Sequence, residues 1–379
     1  MRNTILQVAA VVFGAAFNSI PASAADMLVL FGTHRSGPGV GFSISRFDSE
    51  TGTLTSPAFI QQSDAPSFFA IHPDGKHLYT CNSVDTYDGK PGGTLSAYAI
   101  APKTGRLALL NRKPTGANPC HLSLDRSGRF VLDADYNGAS ICVYGIETDG
   151  SLGNRTAFVR HTGKSIHPDR QAGPHPHSII VSPDNHYALV TDLGADKVYV
   201  YRFDDSKGTL IPNQPDAAPL SPGSGPRHLK FHPGGKWVYV LNELSNTVAA
   251  FSWNSRQGTL KQFQVASILP ADFKGSSTAG EIQVHPNGKF LYASNRGHDS
   301  IAMFKIDAQT GQLAALGHVS SQGKMPRYFG LDPSGNWILL CNHDSDNVVV
   351  YRVDQETGLL RSTGEPVKVP NPFCAQFLQ

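Results

Sequence analysis

The stretch His285-Pro286-Asn287-Gly288-Lys289, continued by Phe290-Leu291-Tyr292-Ala293-Ser294-Asn295 and, past a polar gap, by Ile301-Ala302-Met303-Phe304-Lys305-Ile306, decides the fold. Its first five residues are turn chemistry. The two runs that follow are rich in aromatic and aliphatic side chains at strand spacing and are bounded by Gly, Asp and Ser, which reads as strands joined by tight turns. Thr310-Gly311-Gln312-Leu313 then opens a further strand. The same turn recurs as His72-Pro73-Asp74-Gly75-Lys76, Asp125-Arg126-Ser127-Gly128-Arg129, Ser182-Pro183-Asp184-Asn185-His186, His232-Pro233-Gly234-Gly235-Lys236 and Asp332-Pro333-Ser334-Gly335-Asn336. Counted at the second residue of each turn, the spacings are 53, 57, 50, 53 and 47. A period near 50 built only from strands predicts propeller blades.

Seven residues before each of those second positions stands a strand-opening slot, at Pro66, Pro119, Pro176, Pro226, Ala279 and Pro326, with a seventh copy at Pro372. The C-terminal stretch after Asn371 holds a first strand with nothing following it. Residues 28 to 60 hold later strands with no first. Pairing one end with the other closes a ring of seven four-stranded blades and leaves no open sheet edge at the seam. The expected fold is an all-β, seven-bladed β-propeller, filling residues 25–379 as one domain.

Composition agrees with this reading. Of 379 residues only 16% are charged, while 37 are Gly and 26 Pro, which excludes a coiled coil or helical bundle. Lys and Arg number 32 against 30 Asp and Glu, with no basic run, so no surface is expected for nucleic acid or an anionic membrane. Residues 1–24 place Arg2 before an apolar run from Ile5 to Phe17 and end in Ala22-Ser23-Ala24, the form of an export signal cleaved near Ala24. That run is too short for a membrane span. A periplasmic or secreted protein is expected. Cys81, Cys120, Cys142, Cys341 and Cys374 are odd in number and lack a C-x-x-C pair, so they are expected to be free, packed thiols.

Because the blades repeat, the chain is its own control. Slots filled alike in every blade answer to the fold, and slots that differ can answer to a ligand. Asn82, Asp135, Asp192, Asn242, Asn295 and Asn342 occupy one slot with side chains suited to turn bonding and are expected to be structural. So are the turn histidines His72, His232 and His285. The next slot holds Ser83, Tyr136, Leu193, Glu243, Arg296 and His343, with no common type. On the same rim, after the strand-opening residue, stand Ser67, Cys120, His177, Arg227, Gly280, Arg327 and Phe373, then Phe68, His121, Ser178, His228, Glu281, Tyr328 and Cys374. Three arginines and two carboxylates on one rim suit an anionic, oxygenated ligand. The alternative is that Glu243–Arg296 and Glu281–Arg327 are only ion pairs between blades. The loop from His161 to His177 carries four histidines at no zinc spacing and is expected to be a mobile polar loop.

The segment Gly225-Pro226-Arg227-His228-Leu229-Lys230-Phe231-His232-Pro233, with Val238-Tyr239-Val240-Leu241-Asn242-Glu243-Leu244, resembles the seven-bladed lactonase family, which includes propeller-type bacterial 6-phosphogluconolactonases and fungal carboxymuconate-lactonising enzymes. The likeness extends through Pro176-His177-Ser178, the block from His285 to Arg296, and Met325-Pro326-Arg327-Tyr328-Phe329. It implies a metal-independent, cofactor-free site carried by His177, Arg227, Glu243 and Arg296, hydrolysing a sugar-type lactone. Glu243 or His177 would activate water, and Arg227 and Arg296 would hold the oxyanion or the ligand's anionic group. Arg327, His228, Glu281, His121 and Tyr136 would complete the substrate site. An export signal sits poorly with a phosphorylated intracellular substrate, so an unphosphorylated lactone is an equal expectation. A ring-closing carboxymuconate cyclase and a non-catalytic binding propeller are the alternatives.

Overall fold

The computed structural model describes residues 26–37, 39–84 and 86–378, and all regular structure among them is β-strand. The expected export signal lies outside the described residues. Seven antiparallel sheets follow one another in chain order, each with its first strand innermost. In blade five, for example, Pro226–Phe231 pairs with Trp237–Asn242, which pairs with Thr247–Asn254, which pairs with Thr259–Ser267. Blade one is composite. Its inner strand is Pro372–Leu378, paired with Asp26–Thr33 in the register Leu30↔Gln376 and Phe31↔Ala375. The ring closes as the sequence requires. Blade two carries an additional short hairpin, Thr86–Tyr87 with Lys90–Pro91, between its second and third strands.

Neighbouring blades are fastened by three recurring contacts. Each turn histidine accepts a backbone N–H on Nδ1 from its own turn and uses Nε2 on the carbonyl of the next blade's turn glycine. The Nε2 contacts are His72 to Gly128 at 2.8 Å, His232 to Gly288 at 2.9 Å and His285 to Gly335 at 2.8 Å. The second-strand tyrosines Tyr79, Tyr239 and Tyr292 donate to the carbonyls of Gly150, Gly311 and Gly358 one blade further on. Those outer-turn glycines also lie flat on the aromatic ring that opens the previous blade's second strand. A Cβ on Gly311 would stand 2.6 Å from the Trp237 ring, and one on Gly52 would stand 2.2 Å from Trp337. Glycine is needed there for contact as well as for its positive φ of 75°. Gly52 and the bond from Trp337 Nε1 to the Ser49 carbonyl, 2.8 Å, belong to the seam between blades seven and one.

The start of every inner strand contains a β-bulge. The pairs Pro66↔Asn82, Pro119↔Asp135, Pro176↔Asp192, Pro226↔Asn242 and Pro326↔Asn342 are each followed by a register shift that leaves one residue unopposed. Those unopposed residues are Ser67, Cys120, His177, Arg227 and Arg327. In blade six the shift spans Gly280 and Glu281, and in blade one the Gly32/Thr33 irregularity leaves Phe373 unopposed. A bulge twists the strand and re-aims its side chain. Here the bulges aim Ser67, Cys120, His177, Arg327 and Phe373 at one mouth of the central channel.

Candidate active site

At that mouth lies a cavity of about 310 Å3 bordered by Glu243, Arg296, Arg327, His177, Arg170 and Tyr136, with His34 and Phe373 on the blade-one side. Glu243 is its hub. The residue follows the last ladder position of a second strand, and its side chain is buried. Arg296 Nη2 lies 2.9 Å from Glu243 Oε2, Arg227 Nε 3.1 Å from the same oxygen, and Arg170 Nη2 2.7 Å from Oε1. The Arg227 N–H is not aimed along its contact, so that pairing is Coulombic rather than a formed hydrogen bond. Burial alone would push the Glu243 carboxyl up, but Arg296, Arg227, His177 and Arg170 outweigh it and hold the group well below the usual carboxylate range. Glu243 is therefore a fixed anion.

His177 is buried with Nε2 3.8 Å from Glu243 Oε2 and Nδ1 3.7 Å from the Cys120 sulfur. Burial and the Arg227 cation push its imidazole well below the ordinary histidine value, which leaves it neutral with a free lone pair at physiological pH. Cys120 borders the cavity, but burial pushes its thiol far up, so it is not a thiolate. All five cysteines are free, four of them buried.

Arg327 differs from the other arginines. No carboxylate among the described residues lies within ion-pair distance of it, its Nε has no hydrogen-bond partner, and its guanidinium stacks on Phe373 at 4.1 Å. Burial, with Arg227 and Arg296 nearby, disfavours its charge. An anion arriving in the cavity relieves that tension. The Glu281–Arg327 ion pair of the alternative reading does not form, since Glu281 Oε2 instead meets His228 Nδ1 at 3.0 Å.

The structure divides the predicted residues into two layers. Glu243, His177, Arg296, Arg327 and Tyr136 border the cavity. Arg227 does not. It lies behind Glu243, over the His228 ring, and donates to the Gly280 carbonyl. His121, His228 and Glu281 form a deeper layer that floors the site, with His121 and His228 ring centres 5.2 Å apart and Phe68 stacked on His121 at 4.4 Å. Sequence placed all of these on one rim, because adjacent slots cannot reveal that the bulged residue and its successor point to different depths.

Three cavity residues, Arg170, His34 and Asn118, were missed. Arg170 comes from the His161–His177 loop, which is pinned rather than mobile. The buried Gln171 donates to the Leu193 carbonyl at 2.8 Å, and His161 meets Asp192 Oδ2 at 2.7 Å and the Tyr201 hydroxyl at 3.0 Å. His175 stacks on Tyr136 at 4.3 Å, and the Tyr136 hydroxyl accepts from Arg170 Nη2 at 3.1 Å. The loop belongs to no repeat, so the self-comparison had no column for it; a lone Arg beside Gln in a histidine-rich loop was the available signal. His34 lies before the first complete blade and stacks on Phe373 at 4.7 Å. Burial, then Arg327 and His343, lower its imidazole to about 4.

Residues 28–377 match the family described as Lactonase, 7-bladed beta-propeller. The chain belongs to the seven-bladed lactonase family. This lactonase is 36% identical over 348 residues, 92% of its length and 97% of the relative's, to the 6-phosphogluconolactonase of Bacillus subtilis strain 168. It is 34% identical over 299 residues, 78% of its length and 83% of the relative's, to the 6-phosphogluconolactonase of Formosa agariphila. Among solved structures, the periplasmic gluconolactonase PpgL of Pseudomonas aeruginosa superposes with a TM-score of 0.87 at 33% identity, covering 93% of this chain and 99% of that one. Family membership makes the protein a carboxylic-ester hydrolase that opens lactones.

Two groups of metal-ligating side chains occur among the described residues of the lactonase, and neither borders the cavity. His72, Asp74 and His77 sit at the opposite, turn-bearing face. Asp133, Asp135 and Cys142 are packed between blades two and three, where Thr115 Oγ1 contacts both carboxylates.

Proposed function

We propose that this lactonase hydrolyses a sugar-type lactone of the kind its relatives are named for, with His177 as the general base and Arg327 as the anchor for negative charge. The carrying observation is the pairing of a neutral, buried imidazole with a guanidinium that has no carboxylate of its own, on two walls of one cavity. Water attacks the lactone carbonyl carbon while His177 takes its proton. The carbonyl oxygen gains the charge beside Arg327, with Arg296 adjacent. The ring C–O bond then breaks, the imidazolium returns the proton to the leaving ring oxygen, and the carboxylic acid so formed releases its own proton to solvent, leaving a carboxylate where the oxyanion stood. Glu243 is too strongly held as an anion to act as base. Its part is to orient Arg296 and Arg170 and to favour the transient imidazolium, the role a carboxylate plays beside a catalytic histidine. Arg227, behind it, fixes Glu243 and touches no substrate.

An unphosphorylated aldonolactone satisfies this site, because the reaction supplies its own anion for Arg327. The likeness to a periplasmic enzyme and the export-type sequence of residues 1–24 support that choice and a destination outside the cytoplasm. The test is hydrolysis of glucono-1,5-lactone, its 6-phosphate and a muconolactone by the purified protein. His177→Ala should lower kcat/KM on the preferred lactone by about 10²- to 10⁴-fold. Full activity in that variant with loss in Glu243→Gln would hand the base role to the glutamate, and a strong preference for the phosphorylated lactone would overturn the substrate choice.

A further inference from the structure

The central channel continues beneath the His121–His228–Glu281 layer. Two residues further along each inner strand the side chains face the channel again. There Ala70, Ser123, Ile180, Lys230 and Gln376 border a second cavity of about 370 Å3 that reaches the turn face beside Pro73 and Arg126. Small side chains at 70 and 123 make the room, and Phe68, Leu122 and Ile180 give it an apolar wall.

Its electrostatics are one-sided. Neither Lys230 nor Arg126 has a carboxylate within ion-pair distance among the described residues; the buried Glu281 lies near enough to feel the Lys230 charge but is bonded to His228. The Ser123 hydroxyl is buried with no hydrogen-bond partner. The nearby carboxylate of Asp125 is consumed by its own turn, accepting from the backbone N–H groups of Ser127, Arg129 and Phe130 at 2.9, 2.7 and 2.8 Å and from Asn185 Nδ2 at 3.1 Å. Gln376 is steered by its bond to the Tyr328 hydroxyl, 3.0 Å. A concave site with an apolar wall, a few polar groups and a cation that forms no ion pair has the general form of a small-molecule site.

We propose that this lower cavity binds a small monocarboxylate with an apolar body, the carboxylate at Lys230 and the body against Phe68, Leu122 and Ile180. It is distinct from the catalytic cavity, whose walls carry Arg170, Arg296 and Arg327 around Glu243, and it stands whether or not the lactonase mechanism above is correct.

The probe is benzoate, titrated calorimetrically into the purified protein at low ionic strength. The expected result is saturable binding of one benzoate with a Kd below about 10 mM, weakened at least about tenfold in Lys230→Met. Ser123→Leu, which fills the cavity and keeps the cation, should abolish it, while Arg327→Gln in the upper cavity should leave it unchanged. Thermal melts of the variants check that each is folded, and Lys230→Gln replaces Lys230→Met if the latter is not. Absence of saturable heat in the parent protein, equal affinity in the Lys230 and Ser123 variants, or loss confined to Arg327→Gln would each overturn the proposal.

Discussion

Glu243 keeps its charge in a buried position because three guanidinium groups reach its two oxygens, and the arrangement makes each arginine depend on the others. Arg170 is the half-exposed member, held between Tyr136 and Glu243 Oε1. Arg170→Met should leave the fold intact and lower kcat more than it raises KM, because it frees Glu243 to rotate and leaves Arg327 in place; Arg170→Lys should restore part of the loss. Steady-state kinetics on the two variants check this. Arg327→Gln should do the converse at the anion site, lowering kcat/KM by about 10²-fold as expected for a lost oxyanion partner. The pH profile follows from His177. Burial and Arg227 lower its imidazole well below 6.5, so the unprotonated, active form persists on the acid side. The acid limb of kcat/KM should therefore fall below 6.5, and a limb at or above that value would remove His177 from the base role.

At the scale of strands and turns, the repeat made most of the architecture legible. Strand openings at the seven proline or alanine slots, the turn histidines as structural groups and the closing C-terminal strand could all be read because six copies of one pattern expose what is common. The depth of the site residues could not be read in the same way. A bulge adds a residue without changing the sequence pattern around it, so His177 and Ser178 look like neighbours on a plain strand, as do Arg227 and His228. Arg170 escaped for a different reason, since a loop without a repeat partner offers no comparison. The pair Asp133 and Asp135 was also unreadable, since Asp135 fell in the slot expected to serve turn bonding and Asp133 was not singled out. In the structure both are buried, and the single hydroxyl proton of Thr115 faces an oxygen of each. Two buried carboxyls this close, with one hydroxyl between them, favour keeping a proton on the pair. Burial and the neighbouring Asp135 push Asp133 well above its ordinary value of 3.8. An acid whose folded value is raised loses stability as pH climbs above the unfolded value, because the unfolded chain releases a proton that the folded one keeps. Asp133→Asn should remove that loss. Its melting temperature should exceed the parent's, by a margin that widens between pH 5 and pH 8, as checked by thermal melts across that range.

For the whole molecule, the seam between blades one and seven is a cooperative contact. Pro372–Leu378 supplies the inner strand of blade one, and Phe373, Cys374 and Ala375 within it are buried. Ending the chain at Asn371 should expose the Asp26–Thr33 edge and give a protein that associates or fails to fold, as read by sedimentation and thermal melting. A synthetic peptide of residues 371–379 added during refolding should recover soluble, active enzyme. The last strand also delivers Phe373, the ring on which Arg327 stacks, while His34 comes from the other end of the chain. A catalytically complete molecule therefore exists only once Pro372–Leu378 has paired with Asp26–Thr33. Until then the polypeptide is an open arc, unable to fasten itself shut. The strand is thus a clasp, and one pairing event both shuts the molecule and arms it.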